Sequence, residues 1–147
     1  MRIHLPPTIM VSSVVLSIVL HYLIPYPKLI SSPYNLFGLV AVVSGLLLIR
    51  QCRRLLEVSR TTIDPKENPT ALLTKGPYRY SRNPIYGGLL LITFGIAFTL
   101  ASPIAFIGPV VFFLFIHNNV IPREEKNLTN AFGVEYERYQ TRVRRWI

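Results

Sequence analysis

Four blocks of residues contain no charge at all: 7–24, 34–49, 85–101 and 104–121. A soluble core of 147 residues would alternate apolar and polar faces, so uncharged runs of this length place the chain among integral membrane proteins. By length it is one domain. The expectation is an all-α membrane protein with four transmembrane helices over those blocks. The second block has only 16 residues and rises about 24 Å, short of a hydrocarbon core of about 30 Å. Arg50, Arg53 and Arg54 can snorkel at its end, and the helix is expected to run on a turn or two through Leu55, Leu56 and Val58. Ala41 and Gly45, four apart, would allow a close helix neighbour.

The first block reads as a retained span. Met1-Arg2-Ile3-His4 is weakly basic, and no small-residue cleavage site precedes Pro25-Tyr26-Pro27-Lys28. Ser102-Pro103 is a tight turn that makes the third and fourth blocks an antiparallel hairpin, with Pro109 a candidate kink. The tail 122–147 carries Leu128, Phe132, Tyr136, Tyr139, Val143 and Trp146 at helical spacing, with Arg138, Arg142, Arg144 and Arg145 around them. That pattern predicts an amphipathic interfacial helix, on the lipid surface or folded over the hairpin.

Basic residues set the orientation. The segment from Arg50 to Arg82 holds eight Lys and Arg and the tail holds six, against one after the first span and one at the N-terminus. The positive-inside rule then places the loop 50–84, the tail and both termini in the cytoplasm, of a bacterial inner membrane or an endoplasmic reticulum. The net charge of +9 follows from this topology and from anionic lipid head groups, and nucleic acid is not expected as a partner. The single Cys52 excludes an intrachain disulfide. His4, His21 and His117 are scattered, so no metal site and no obligate protein partner is inferred.

A hairpin returns the chain to the face it left. Gly76-Pro77-Tyr78-Arg79-Tyr80-Ser81-Arg82-Asn83-Pro84-Ile85-Tyr86 at its entry therefore meets Glu124-Glu125 at its exit. Asn83-Pro84 reads as a helix start, with Asn capping and Pro at the first position. Such an N-terminus favours an anion, to which Arg79 and Arg82 would add donors, although Arg at this depth also serves lipid phosphates. Tyr78, Tyr80 and Tyr86 offer flat faces to an adenine or an organic cation, or else form an interfacial aromatic belt. The two acids suit a helix dipole, or a ribose diol or a bound cation.

These two segments resemble a known family. Gly76-x-Tyr78-x-x-x-Arg82-Asn83-Pro84-x-Tyr86-x-Gly88, followed by Glu124-Glu125-x-x-Leu128-x-x-x-Phe132-Gly133-x-Glu135-Tyr136-x-x-Tyr139-x-x-x-Val143, is similar to the isoprenylcysteine carboxyl methyltransferase and phospholipid methyltransferase superfamily. The likeness covers about Thr70 to Val143. It implies an S-adenosylmethionine-dependent methyltransferase of the membrane, in keeping with the absence of a soluble-type glycine-rich cofactor loop. It further implies that Thr70, Ala71, Leu72, Leu73, Asn83, Pro84, Ile85, Tyr86 and Glu124 line the cofactor and that Tyr78 faces the acceptor. Arg82 and Glu124 become the catalytic pair, Arg82 as an electrostatic and positioning residue.

Asn83 stands where the family carries His, and Val120 where its carboxyl methyltransferases carry Arg. The implied acceptor is a lipophilic molecule, a prenylcysteine-like carboxylate or another amphiphile. The alternatives are a phospholipid amine N-methyltransferase, a non-catalytic scaffold or lipid-binding protein that keeps the fold, and, more distantly, an NADPH-using reductase.

Overall fold

Each apolar block folds as a helix, and the helices differ in length in a way that their composition did not announce. The computed structural model describes residues 5–24, 26–59 and 71–146, with the side chain of Leu5 excepted. Helix α1 spans Leu5–Leu23; α2 spans Phe37–Val58 after a 3₁₀ turn at Tyr34–Leu36; α3 spans Pro84–Leu100. A 3₁₀ turn at Pro103–Phe106 leads into α4 at Ile107–Phe115, a π turn at Ile116–Val120, α5 at Ile121–Phe132 and α6 at Val134–Arg142. No strand occurs among the described residues.

Three of these helices are long and apolar enough to cross a membrane: Pro6–Leu23, Tyr34–Val58 and Pro103–Phe132. The second continues past Arg50, Arg53 and Arg54 to Val58, as its apolar residues predicted. The expected third span is the shorter apolar helix α3, whose 17 residues rise about 25 Å. It is also the most enclosed, packing against α2, α1 and α4 with Tyr86, Leu89, Ile92, Thr93 and Ala97 buried.

Glycine explains how α2 and α3 approach. A Cβ on Gly45 would lie 2.5 Å from the Gly88 carbonyl oxygen, and one on Gly88 would lie 2.9 Å from the Gly45 carbonyl oxygen. Gly38 and Gly95 oppose each other in the same manner, so neither pair has room for a side chain. Two contacts seven residues apart on each of two antiparallel helices let the backbones touch along one seam. Gly45 was expected in such a contact, but its companion is Gly38 rather than Ala41. The seven-residue interval returns to the same face after two turns.

The fourth helix does not end with its uncharged block at Ile121. It stays helical to Phe132. Pro122 lacks the N–H that would bond four residues back, and its ring crowds that carbonyl; the wider π turn at Ile116–Val120 relieves both. Pro109 lies in the first turn of α4, where the missing donor is unused. The true break is at Gly133, whose φ of +50° glycine adopts without strain, and a Cβ there would meet nothing within 4 Å. The tail is thus two helices and not one. Its predicted stripe turns onto protein: Tyr136, Tyr139 and Val143 form a cluster with Leu128, Phe132 and Leu72. Trp146 packs instead against the core of Tyr86, Leu89, Phe112, Ile116, Val120 and Ile121.

At the opposite end, Ala101 closes α3 in a left-handed conformation with φ +58°. Its carbonyl accepts from the Leu29 N–H at 2.8 Å, and Asn35 Nδ2 donates to the Thr99 carbonyl at 3.0 Å.

Candidate functional site

The two polar segments meet. Tyr86, on the first turn of α3, donates its hydroxyl hydrogen bond to Glu124 Oε1 at 2.5 Å across 38 residues of chain. Glu124 occupies the first turn of α5, at the end of the helix that the hairpin brings back. Its neighbour Glu125 takes different partners. Arg82 Nη2 lies 3.3 Å from Glu125 Oε1, with the two side chains only 13% and 12% exposed. Arg145 grips the same carboxylate in two places, Nε to Oε1 at 3.1 Å and Nη2 to Oε2 at 2.6 Å. A fork of this kind fixes the carboxylate in a plane as well as neutralising it.

Arg145 is there because the chain after α6 becomes extended. From Val143 to Trp146 it lies across the start of α3 as a strap. The Arg144 carbonyl accepts from the Arg82 N–H at 2.9 Å. The Arg145 carbonyl accepts from Asn83 Nδ2 at 3.0 Å and from Ser81 Oγ at 3.3 Å. Trp146 Nε1 then donates to His117 Nδ1 at 3.1 Å, fixing the strap to the fourth helix.

This settles Asn83 differently from the sequence reading. Asn83 occupies the N-cap position of α3, and Pro84 follows at the first helical position as expected. Its side chain makes no capping hydrogen bond, however, because the amide is spent on the strap. Its own N–H is satisfied by Ser81 Oγ at 3.1 Å.

Tyr78 is half-buried on the short 3₁₀ turn Gly76–Arg79, and its carbonyl accepts from the Tyr139 hydroxyl at 2.6 Å. Burial pushes the Tyr78 hydroxyl well above the ordinary tyrosine range, and the nearby Cys52, Tyr139 and Glu124 push it the same way. Tyr139 is pushed up to about 12, by burial first and by Tyr136 second, so both phenols remain neutral donors. Leu72 packs against Tyr136, Tyr139 and Val143. Ala71, Leu73 and Ile85 are half-buried, and Pro84 is buried. Thr70 lies outside the described residues.

The structure therefore joins Tyr86 to Glu124 and Arg82 to Glu125, with Tyr78 beside them. Asn83 is drawn into the strap. Reasoning from the sequence missed Arg145 and gave both acids the same tasks, whereas Glu125 takes Arg82 and Arg145 as its partners. The only signal for either was the acid doublet itself, since two adjacent helical acids cannot face one partner. Arg82 Nε is buried with no hydrogen-bond partner, an unsatisfied donor inside the cluster.

Residues 34–135 match the family model for phospholipid methyltransferase. A probable protein-S-isoprenylcysteine O-methyltransferase of Oryza sativa subsp. indica is 31% identical over 111 residues, covering 72% of this chain and 56% of that protein. Protein-S-isoprenylcysteine O-methyltransferase B of Arabidopsis thaliana is 30% identical over 115 residues, covering 73% and 55%. An uncharacterized protein of Haemophilus influenzae is 41% identical over 63 residues, 43% of this chain and the whole of that one. The chain thus spans about half the length of these named plant methyltransferases. No solved structure matches it significantly.

Proposed function

The chain belongs to the phospholipid methyltransferase family, a family of membrane methyltransferases, and on that premise we propose that it transfers a methyl group from S-adenosylmethionine to a lipophilic acceptor at the cytoplasmic mouth of a four-helix bundle. The observation that carries this reading is the Tyr86–Glu124 contact, which puts a carboxylate at the end of the apolar hairpin beside the Tyr78 phenol. In this reading α3 is the fourth crossing, its 17 residues shielded by the longer helices around it. The tail helices rest at the membrane surface, and both termini are cytoplasmic.

The residues present fit the proposed donor. Glu124 would take a ribose diol, the faces of Tyr78 and Tyr86 an adenine or a sulfonium, and the unsatisfied Arg82 Nε a carboxylate. Leu72, Leu73 and the segment from Asn83 to Tyr86 would wall the site, with Ala71 beside them. When bound, S-adenosylmethionine supplies an electrophilic methyl group and a thioether leaving group. The chain's own work is then to orient the acceptor and exclude water, which is where positioning contributes most. Arg82 acts here as a positioning residue, held by Glu125 and by the strap.

The related plant proteins are named for O-methylation of isoprenylcysteine, and a carboxylate acceptor needs no base. A second reading, an amine acceptor on a phospholipid, is favoured by Glu124 itself. No cation is paired with it among the described residues, which leaves it able to take the proton that an amine must lose. Membranes containing the chain, incubated with methyl-labelled S-adenosylmethionine, are expected to yield labelled lipid extract. Base-labile label identifies an ester and stable label an amine. An unlabelled extract, from membranes where the chain is folded, would defeat the proposal.

A further inference from the structure

Behind the turn that carries Tyr78 lies an open groove of about 380 Å³, lined by Leu48 and Gln51 of α2 and by Gly76, Pro77, Arg79 and Tyr80. Leu48, Gln51 and Leu55 fall on one face of α2. Leu55 seats the turn, since its Cδ1 would lie 2.7 Å from a Cβ on Gly76. A volume in this range holds a small ligand or a lipid head group. The lining is divided: an apolar wall of Leu48 and Pro77, then an amide, a phenol and a guanidinium.

Arg79 is the charge in that lining. It is exposed and makes no ion pair among the described residues, where both recorded ion pairs belong to Glu125. Among the described residues no acid lines the groove. The surrounding field is positive: Arg50, Arg53 and Arg54 are exposed on the last turns of α2 against the single acid Glu57, and Lys75 precedes the turn. The apolar wall is continuous with exposed apolar surface, since Leu47, Val40 and Phe37, which follow Gln51 and Leu48 along the same face of α2, are 60%, 59% and 65% exposed. Tyr80, 72% exposed, stands at the rim as an interfacial aromatic would.

We propose that this groove binds the anionic head group of a membrane amphiphile, with the anion on Arg79 and the chain leaving along Leu48 and the exposed apolar residues of α2. A guanidinium suits a phosphate or carboxylate because it offers paired, parallel donors. A free anion in solution would use Arg79 but leave the apolar wall without a role. The occupant is therefore a lipid. The inference rests on the membrane placement given above and not on methyl transfer.

The test uses the purified full-length chain in a neutral maltoside detergent, with no methyl donor present. Dodecyl phosphate, dodecylphosphocholine and inorganic phosphate are titrated, and bound amphiphile is read by native mass spectrometry. Dodecyl phosphate is expected to bind saturably, roughly tenfold or more tightly than the zwitterion, with no saturable binding of inorganic phosphate. Arg79→Gln should weaken it by about tenfold or more, Arg79→Lys by less, and Leu48→Trp should weaken it by filling the apolar wall. Arg138→Gln, an exposed change on α6, should leave it unaltered. Equal binding of both amphiphiles, inorganic phosphate binding as tightly as dodecyl phosphate, or unchanged affinity in Arg79→Gln would overturn the inference. If Arg79→Gln does not fold, Arg79→Lys and Leu48→Trp decide in the same way. Failure to methylate any acceptor leaves this result untouched, so the two proposals fail separately.

Discussion

The seam between α2 and α3 and the mouth above it hold the same helix by opposite means. Along the seam, Gly38, Gly45, Gly88 and Gly95 remove side chains so that backbones can touch. At the mouth, Arg82, Glu125 and Arg145 fill the space with charge, and the strap spends its carbonyls on Arg82, Asn83 and Ser81. Lipid offers no hydrophobic drive for helices to associate, so on the proposed crossing of α3 close approach itself must stabilise the pair. Near water that constraint lifts, and buried charges hold geometry if every one is matched. The bundle tolerates no added volume in the first region, and in the second Arg82 and Arg145 depend on the single carboxylate of Glu125.

The harshest way to break that contrast is Gly45→Leu. Its Cβ meets the Gly88 carbonyl, which is backbone and cannot swing aside. Overpacking there should cost about 3 kcal/mol or more and appear as loss of monodisperse protein on detergent extraction. Glu125→Ala attacks the mouth. With Arg82 and Arg145 both deprived of their counter-charge, a loss of about 3 kcal/mol is expected in a thermal melt, and Glu125→Gln should recover part of it. A near-silent Glu125→Ala would show that the charges are solvated and that the contrast is wrong.

Smaller substitutions sharpen it. Arg145→Lys keeps the charge but loses the fork on Glu125, and should cost about 1 kcal/mol in the same melt. The smallest effect concerns pH. Burial pushes Tyr139 up to about 12 from the usual value of about 10, so the stability contributed by its neutral phenol is fully present below about pH 10 and is lost as pH rises through 12. Stability followed by circular dichroism over that window should fall less steeply in Tyr139→Phe than in the parent chain.

The sequence disclosed the parts whose signals are local. Uncharged blocks locate the helices, a Ser-Pro turn closes the hairpin, and antiparallel return alone implies that Tyr86 nears Glu124. The uncharged block ends at Ile121 but the helix does not; the π turn before Pro122 carries it on, and nothing in Ile116–Val120 marks that turn. Gly45 was legible, but its pairing with Gly88 depends on the register between two helices, which neither helix encodes alone. Arg145 was hidden for a third reason. It follows the last helical turn in extended chain, where periodicity says nothing, and in a basic tail it counted only toward orientation.

The site account depends most on Glu124, whose partner Tyr86 is neutral and whose neighbour Glu125 carries the ion pairs. Calorimetric titration of S-adenosylhomocysteine into the purified chain and into Glu124→Ala tests it directly. The account predicts saturable heat in the parent chain, and affinity weakened by about tenfold or more in the variant at a temperature where circular dichroism shows both proteins folded. Equal affinity in both proteins, or no heat from a folded parent chain, would contradict it.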